Sequence, residues 1–233
     1  MIDATEVPSP NFDERGGTPV TILVLHYTGM PTGEGALKTL TTAASKVSSH
    51  YLVMEDGAIL RLVPEEKRAW HAGRSWWRGR RDINADSIGI EIVNPGHEWG
   101  YVPFPDVQME SVLRLVKDIV ERHDIKPIDV VGHSDIAPTR KEDPGELFDW
   151  ALLARHGLAL GPVKAVADPH WTDAGTLMAL ERFGYDVTDG VAAIRAFQRH
   201  FRPSKVDGVI DGETRAVLLR LLIDNGQPEV DEA

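Results

Sequence analysis

The chain has 233 residues, enough for one large domain or for a medium and a small one. Its net charge of −11 argues against nucleic acid as a partner, because phosphate binding needs a clustered positive surface. It contains no cysteine, which excludes disulfides and thiolate metal sites, so any metal must be held by histidine and carboxylate groups. No apolar run approaches the roughly 20 residues of a membrane-spanning helix, so we expect no membrane span.

The N-terminal segment bears on the compartment. The stretch MIDATEVPSPNFDERGG lacks the positively charged start and the apolar stretch of a secretory signal. We therefore expect a cytoplasmic protein; the alternative is an exported protein whose signal has been removed. Nothing in the sequence indicates an oligomeric state.

The first predicted elements are a strand, a helix and a hairpin. Residues 20–25 form an unbroken run of apolar and β-branched side chains, which predicts a buried central strand with His26 at its C-terminal end. Open α/β sheets carry their chemistry at this end of the strands. The stretch GEGALKTLTTAASKV predicts a helix, and SSHYLVMEDGAILRLVPEE predicts a hairpin that turns at EDG.

A further strand, helix and strand follow. In DSIGIEIVNPG the isoleucines point to one face of the predicted strand, and Gly89 and Glu91 point to the other. Residues 106–124 have apolar side chains at helical spacing, with Asp106 predicted as the N-cap. The run IDVVGH predicts a strand that ends at His133. Strands alternating with helices predict an α/β fold with a central mixed β-sheet flanked by helices.

The C-terminal part predicts a small domain of three helices. Residues 158–173 break the periodicity and indicate a linker, and three short helical patterns come after it. Gly184 is placed to cap the end of the first, and either Thr188 or Asp189 to cap the start of the second. The predicted organisation is therefore a catalytic domain (1–157), a linker (158–173) and a helical domain (174–233).

Three side chains suggest a metal site. His26 and His133 each end a predicted strand, and Asp143 follows in the turn-rich segment HSDIAPTRKEDPG. Two imidazoles and one carboxylate, with a fourth position left to water, form a catalytic zinc arrangement. Glu91 is then a candidate general base, and Lys141 a candidate for stabilising an oxyanion.

Structural alternatives exist for each of these residues. The chain has nine histidines, and a single histidine is more often a hydrogen-bonded loop or core residue than a ligand. Glu91 is also compatible with an ion pair to an arginine, and Lys141 with a solvated position in the mixed charge run TRKED. No compact motif such as H-E-x-x-H supports the metal site on spacing alone.

A family resemblance favours the metal site. The blocks LHYT, SSHYLV, AWHAG, SIGIEIVNPG and GHSDIAPTRKEDPG resemble, in order and spacing, the type 2 N-acetylmuramoyl-L-alanine amidases, zinc enzymes related to peptidoglycan recognition proteins. This resemblance covers residues 15–157. The C-terminal stretch AIRAFQRHFRP and DGVIDGETRAVLLRLL is similar to the peptidoglycan-binding helical module that some bacterial members carry. We would assign no site to that module, which is equally compatible with ligand binding and with packing on the catalytic domain.

The resemblance implies roles for five residues. It implies that His26, His133 and Asp143 hold Zn²⁺, that Glu91 is the acid/base and that Lys141 stabilises the oxyanion. The implied reaction is hydrolysis of the amide between the lactyl group of N-acetylmuramic acid and L-Ala of the stem peptide. The substrate is peptidoglycan or a muropeptide, including 1,6-anhydro forms. The alternatives are a peptidoglycan-binding protein without turnover and a zinc peptidase that cuts within the stem.

Four further residues are candidates for substrate binding. Tyr27 follows the first ligand, and its alternative is packing at the strand end. His71 is expected to line the cleft, whereas His50 is expected to be structural. Arg74, in the cluster RSWWRGRRD, is expected to pair with stem carboxylates beside a wall of three tryptophans, whose alternative is a structural plug. The wall would consist of Trp70, Trp76 and Trp77. Asn94 is compatible with substrate contact and with capping of its own turn.

Overall fold

A six-stranded mixed sheet organises residues 2–225, the part of the chain that the computed structural model describes. The ends of the predicted domains at residue 1 and at residues 226–233 lie outside the described residues. The strands of this sheet are β1 (Thr5–Glu6), β3 (Ile22–Tyr27), β4 (Tyr51–Val53), β5 (Ile59–Arg61), β9 (Ser87–Ile92) and β10 (Val130–Gly132). Their order is β1-β5-β4-β9-β3-β10, and only the β4–β5 hairpin is antiparallel. The predicted mixed sheet and hairpin are confirmed.

Two small sheets and eight helices complete the described part of the chain. The small sheets pair β2 (Phe12–Glu14) with β6 (Lys67–Ala69) and β7 (Trp76–Trp77) with β8 (Arg80–Arg81). The helices of the first two thirds are α1 (Gly33–Thr41), α2 (Gly96–Trp99), α3 (Asp106–His123), α4 (His133–Ile136) and α5 (Trp150–Arg155). The helices of the C-terminal region are α6 (Asp173–Phe183), α7 (Gly190–Phe201) and α8 (Gly212–Asp224). None of the helices in residues 2–225 is long and apolar enough to cross a membrane.

Three predicted helix caps can be compared with the structure. Gly184 ends α6, and the Asp189 carboxylate caps α7 by accepting from the backbone N–H of Ala192, which decides between Thr188 and Asp189. The prediction of Asp106 as an N-cap is wrong, because Pro105 takes that position and Asp106 is the first helical residue. At this position its negative charge interacts favourably with the positive end of the helix dipole, and the carboxylate accepts no capping hydrogen bond.

The register of the central strands decides which side chains share a face. β3 lies between β9 and β10, all three are parallel, and His26 pairs with Glu91 across β3 and β9. Paired residues project from the same face, so His26 and Glu91 project together. The opposite face carries Ile88, Ile90 and Ile92, which pack in a core with α3, as the alternation predicts.

The face that carries His26 is shared with the C-terminal helices. Ile22 and Val24 lie on the same face of β3 as His26, because every second residue of a strand points the same way. They pack in one buried cluster with Phe183, Phe197 and other side chains of α6–α8. Trp77 lies in the same cluster, 1% exposed, with its ring edge-on to Phe183. A single hydrophobic core therefore runs from the sheet into the helical region.

The segment predicted as a linker is packed. Leu158 and Ala159 are buried against the α3 side of the sheet, and the Asp168 carboxylate forms an ion pair with Arg215 of α8. Residues 158–173 therefore pass from one core to the other in contact with both. The predicted domain boundaries stay a prediction.

Candidate metal centre and catalytic cleft

His26, His133 and Asp143 meet at the C-terminal ends of β3 and β10. His26 is the penultimate residue of β3, His133 begins α4 directly after β10, and Asp143 lies in the loop that follows. His26 Nδ1 and His133 Nδ1 are 2.9 Å apart, and each lies 3.0 Å from Asp143 Oδ2. All three residues are buried. The structure thus brings together the three residues that the sequence indicates as ligands.

The remaining ring nitrogens have partners that are compatible with a free Nδ1 on both rings. His133 Nε2 lies 3.2 Å from the carbonyl of Ala72, which can only accept, so a proton on Nε2 makes this contact a hydrogen bond. His26 Nε2 lies 3.0 Å from His71 Nδ1, and His71 Nε2 lies 3.1 Å from Ser87 Oγ. Donation along this series, from His26 to His71 to Ser87, leaves a lone pair on His26 Nδ1 as well. Both Nδ1 atoms then face the Asp143 carboxylate as electron-pair donors.

The protonation states agree with this assignment. Burial, and then the neighbouring His133, lowers the pKa of His26 to about 4, so the ring is neutral near pH 7. Burial also lowers the pKa of His71 well below its ordinary value. Burial opposes ionisation of Asp143, but the adjacent His133 and His26 hold its pKa well below the usual range. A neutral His26 ring thus faces an ionised Asp143 carboxylate.

This donor set fits a divalent cation. The three ligand atoms form a triangle with edges of 2.9–3.0 Å, compared with about 3.3 Å between ligands of a tetrahedral zinc site with bonds of about 2.0–2.1 Å. Two lone pairs and a carboxylate converging on one point repel one another unless a cation lies among them. Across residues 2–225, this is the group of three or more metal-binding side chains that lies close enough to share an ion.

His71 is held against the sheet by the absence of a side chain at Gly89. A Cβ at position 89 would approach the His71 ring to 2.5 Å, closer than packed atoms allow. The Gly89 backbone N–H also donates to His50 Nδ1, while His50 Nε2 faces Arg15 and the carbonyl of Lys67. His50 is therefore structural, as expected. His71 lies behind His26 and also reaches the cleft wall.

Glu91 lies beside the ligand triangle with one oxygen unpaired. The register places it next to His26 on the same face, and its Oε2 atom is enclosed without a hydrogen-bond partner among the described residues. Burial, and then the nearby Asp143 carboxylate, raises the pKa of Glu91 well above its ordinary value, while Lys141 opposes this shift. A carboxylate with a raised pKa and a free oxygen is suited to accept and return a proton.

A cavity of about 440 Å³ opens over these groups. It is lined by Glu91, His133, Asp143 and Lys141, and by Arg140. This volume is in the range of small-molecule sites. The cavity therefore joins two of the candidate ligands, the candidate base and two cationic side chains in one solvent-accessible space.

Comparisons with known proteins agree with the fold and with this site. The N-acetylmuramoyl-L-alanine amidase family matches residues 16–146, more than half of the chain, and the family described as a peptidoglycan binding domain matches residues 178–218. The chain belongs to the N-acetylmuramoyl-L-alanine amidase family. The predicted family and the prediction of an amidase are confirmed.

Two relatives and one solved structure illustrate the similarity of this amidase. N-acetylmuramoyl-L-alanine amidase AmiD of Escherichia coli (strain K12) is 41% identical over 89% of this chain and 84% of its own length. 1,6-Anhydro-N-acetylmuramyl-L-alanine amidase AmpD of Enterobacter cloacae is 37% identical over 65% of this chain and 88% of its own length. The solved structure of E. coli AmiD with the substrate anhydro-N-acetylmuramic acid-L-Ala-D-gamma-Glu-L-Lys covers 94% of this chain and 99% of its own, with 37% identity and a TM-score of 0.82.

Tyr27 lines the cavity of the amidase at one rim. Its hydroxyl lies 2.9 Å from His97 Nδ1, and His97 stacks on Tyr101 with ring centroids 4.4 Å apart. His97 Nε2 faces the Glu146 carboxylate at 3.2 Å, and this contact raises the pKa of His97. Tyr27 is thus held in place by a chain of side chains and remains in reach of a bound ligand.

Two of the predicted substrate-binding residues lie away from this cavity. The Asn94 side chain is buried: its Nδ2 donates to the carbonyl of Val102, and its Oδ1 accepts from the N–H of Gly96. This is the capping role named as the alternative. Arg74 is exposed and lines a second cavity, and its carbonyl accepts from the Arg140 guanidinium.

The predicted tryptophan wall is not formed. Trp77 is a core residue, and Trp76 lies under the Arg81 guanidinium at 5.2 Å, beside the second cavity. Trp70 alone of the three lines the first cavity. The reason is that Trp77 projects to the shared core while its strand neighbour Trp76 projects to the other side.

Sequence reasoning missed Arg140, which belongs to the site. Its guanidinium donates to the carbonyls of Ala72 and Arg74 and lies 3.3 Å from His133 Nε2. It therefore fixes the AWHAG loop against the segment that carries the ligands. Its position next to Lys141 in TRKED is the signal that could have indicated it, but a mixed charge run is more often solvated.

Proposed function

We propose that this protein is a zinc-dependent amidase that cleaves the bond between the lactyl group of N-acetylmuramic acid and L-Ala of the stem peptide. The observation that carries the proposal is the triangle of His26, His133 and Asp143, with the unpaired Glu91 oxygen beside it. A binding protein without turnover would have no need to keep a buried carboxylate of raised pKa beside a metal triangle.

The similarity to AmpD and AmiD points to anhydro-muropeptides as substrates. AmpD carries 1,6-anhydro-N-acetylmuramyl-L-alanine in its name, and AmiD has been solved with an anhydro-N-acetylmuramic acid tripeptide. We propose that the present chain accepts such fragments and acts in the degradation or recycling of the cell wall. A cytoplasmic location stays a prediction, with export as the alternative, and fractionation of the native cell tests it.

Zinc would be held by His26, His133 and Asp143. When bound, it supplies a Lewis acid that polarises the scissile carbonyl and makes water a better nucleophile near neutral pH. The two imidazoles would offer Nδ1 lone pairs to it, and the Asp143 carboxylate would supply a compensating charge. His71 and Ala72 keep the two rings in the tautomers that this requires.

Glu91 and Lys141 would carry the proton and the charge. The unpaired Glu91 Oε2 accepts a proton from the attacking water and returns it to the amine of L-Ala as the bond breaks. The Lys141 ammonium, at the same cavity wall, stabilises the negative oxygen of the tetrahedral intermediate. Tyr27 and the cleft-facing edge of His71 are the predicted substrate-binding residues that remain in position to contact the ligand.

Digestion of a purified anhydro-muropeptide tests the proposal. We expect mass spectrometry to find the intact stem peptide with a free L-Ala amino group, and we expect cleavage to stop with a chelator and resume with added Zn²⁺. A cut within the stem would identify a peptidase instead. Tight binding by zinc-free protein, without cleavage before or after zinc is added, would identify the non-catalytic binder.

Substitution of Lys141 by methionine should move the acid limb of the kcat/KM profile to higher pH. Glu91 acts as a base only above its pKa, which burial already raises and which Lys141 holds down. Without that positive charge the pKa of Glu91 rises further, so the pH at which activity appears must rise too. Lys126→Met, at an exposed position away from the cavity, is the control and should keep the parent profile. An unchanged limb, or one at lower pH, would contradict the assignment.

A further inference from the structure

We propose that the C-terminal helical domain positions one side of the metal centre, through Tyr185, Arg199 and His200. This inference rests on the proposed zinc site. It concerns residues 132–143, which carry His133, Lys141 and Asp143 and will be called the ligand segment. The domain reaches this segment at two points, near its beginning and near its end.

The first point of contact is the carboxylate of Asp135, in the same short helix as His133. Oδ2 accepts from the backbone N–H of Gly132 at 2.7 Å and from His200 Nδ1 at 2.8 Å, and Oδ1 accepts from the Tyr185 hydroxyl at 2.6 Å. Asp135 and Tyr185 are fully buried and His200 nearly so. Two of the three donors to this carboxylate therefore come from the helical domain.

Asp135 holds the residue that precedes the ligand. The Gly132 N–H has its partner in the Asp135 carboxylate, so the position of that carboxylate sets the turn from β10 into α4, where His133 projects. A helix of four residues has little rigidity of its own. The direction of His133 Nδ1 thus depends on a carboxylate that the helical domain orients.

His200 is itself held in a single place. Its ring stacks between Trp150, at a centroid distance of 3.6 Å, and Phe201, at 4.0 Å. Its Nε2 faces the carbonyl of Leu160 at 3.0 Å. The His200 ring is therefore fixed relative to α7, and its hydrogen bond fixes the Asp135 carboxylate relative to the same helix.

The second point of contact lies at the other end of the ligand segment. Arg199, next to His200 in α7 and nine-tenths buried, forms an ion pair with Glu142. Glu142 lies between Lys141 and Asp143 and lines the cavity. Arg199 and His200, consecutive residues of α7, thus hold both ends of the ligand segment.

The arrangement predicts that the helical domain contributes to metal affinity without touching the metal. Partners that orient metal ligands through hydrogen bonds change affinity by roughly 10–100-fold when they are removed. Tyr185 and Arg199 are thus inferred to be positioning residues. A domain that only binds glycan, or only packs, would leave metal affinity unchanged when its hydrogen bonds to the ligand segment are removed.

Removal of the Tyr185 hydroxyl tests the inference in the full chain. We expect Tyr185→Phe to weaken Zn²⁺ binding about 10-fold, measured by competition with a chromophoric chelator. Tyr51→Phe is the matched control, because Tyr51 is equally buried and donates to a carboxylate, Glu65, that has no part in the metal site. The control should keep Zn²⁺ affinity within about twofold of the parent. Arg199→Gln, at the second point of contact, should weaken Zn²⁺ binding independently.

Each result is decisive. If the parent binds Zn²⁺ tightly while Tyr185→Phe and Arg199→Gln bind it equally tightly, the inference is overturned and the proposed function stands. If the parent binds no Zn²⁺, the proposed function itself fails. Thermal unfolding of the metal-free proteins separates an effect of the substitution on fold stability from an effect on metal affinity. If Tyr185→Phe lowers the Tm as much as Tyr51→Phe does but keeps the parent affinity, the contact is structural only. If Tyr185→Phe does not fold, Arg199→Gln decides alone.

Discussion

The Glu91→Gln variant should bind as much zinc as the parent and lose kcat by a factor of about 10²–10⁴. The amide has the shape of the carboxylate but cannot take a proton, and Glu91 is not part of the ligand triangle. Its Oε2 has no partner among the described residues, so the substitution breaks no hydrogen bond there. Because burial disfavours the charge on this carboxylate, its removal should not lower the Tm.

The measurement combines metal analysis with steady-state kinetics on an anhydro-muropeptide. Glu110→Gln is the matched control, since Glu110 is exposed on α3 and should leave both kcat and zinc content unchanged. The acid limb of the pH profile should disappear with the carboxylate. A Glu91→Gln protein that keeps more than about a tenth of the parent kcat would remove Glu91 from the mechanism.

Substitution of His133 by alanine should abolish zinc binding and, with it, activity. One of three protein ligands is lost, and we expect affinity to fall by more than the roughly 100-fold upper range for residues that only orient ligands. The fold should persist, because the Ala72 carbonyl that His133 contacts keeps the Arg140 guanidinium as a donor.

Dialysis followed by metal analysis checks this expectation, with circular dichroism as the test of folding. His156→Ala, an exposed histidine at the end of α5, should retain the parent's zinc and activity. His133→Ala and Glu91→Gln together separate the two roles: Glu91→Gln keeps the metal and loses turnover, whereas His133→Ala loses both. Equal metal content and full activity in both would refute the site.

The ligand set could be predicted from sequence because its parts have local signals. His26 lies at the end of one apolar strand and His133 directly after another, and strand ends at one edge of a parallel sheet meet in space. Glu91 was indicated by alternation along β9, where a charged residue on a buried strand requires a reason. The family resemblance then selected these histidines from nine.

The parts that sequence did not predict depend on contacts between distant segments. Trp77 is a core residue because the C-terminal helices cover it, and the residues next to Trp77 in the sequence do not indicate that contact. Asn94 meets the backbone of Val102 only because the chain turns back at α2. Asp135 lies in the block GHSDIAP but becomes informative only when Tyr185 and His200, 50 and 65 residues away, arrive at its carboxylate.

The register of the sheet has a consequence for how specificity can change. His26, Glu91 and His133 stand on or directly after three adjacent strands, so their separations follow the spacing of about 4.8 Å between neighbouring strands. The outer wall of the cavity is built instead by loops, by α1 and by α2, which lie outside the sheet. Substitutions in those loops can therefore change the preference for one peptide or sugar during evolution, while the distances among His26, Glu91 and His133 stay the same.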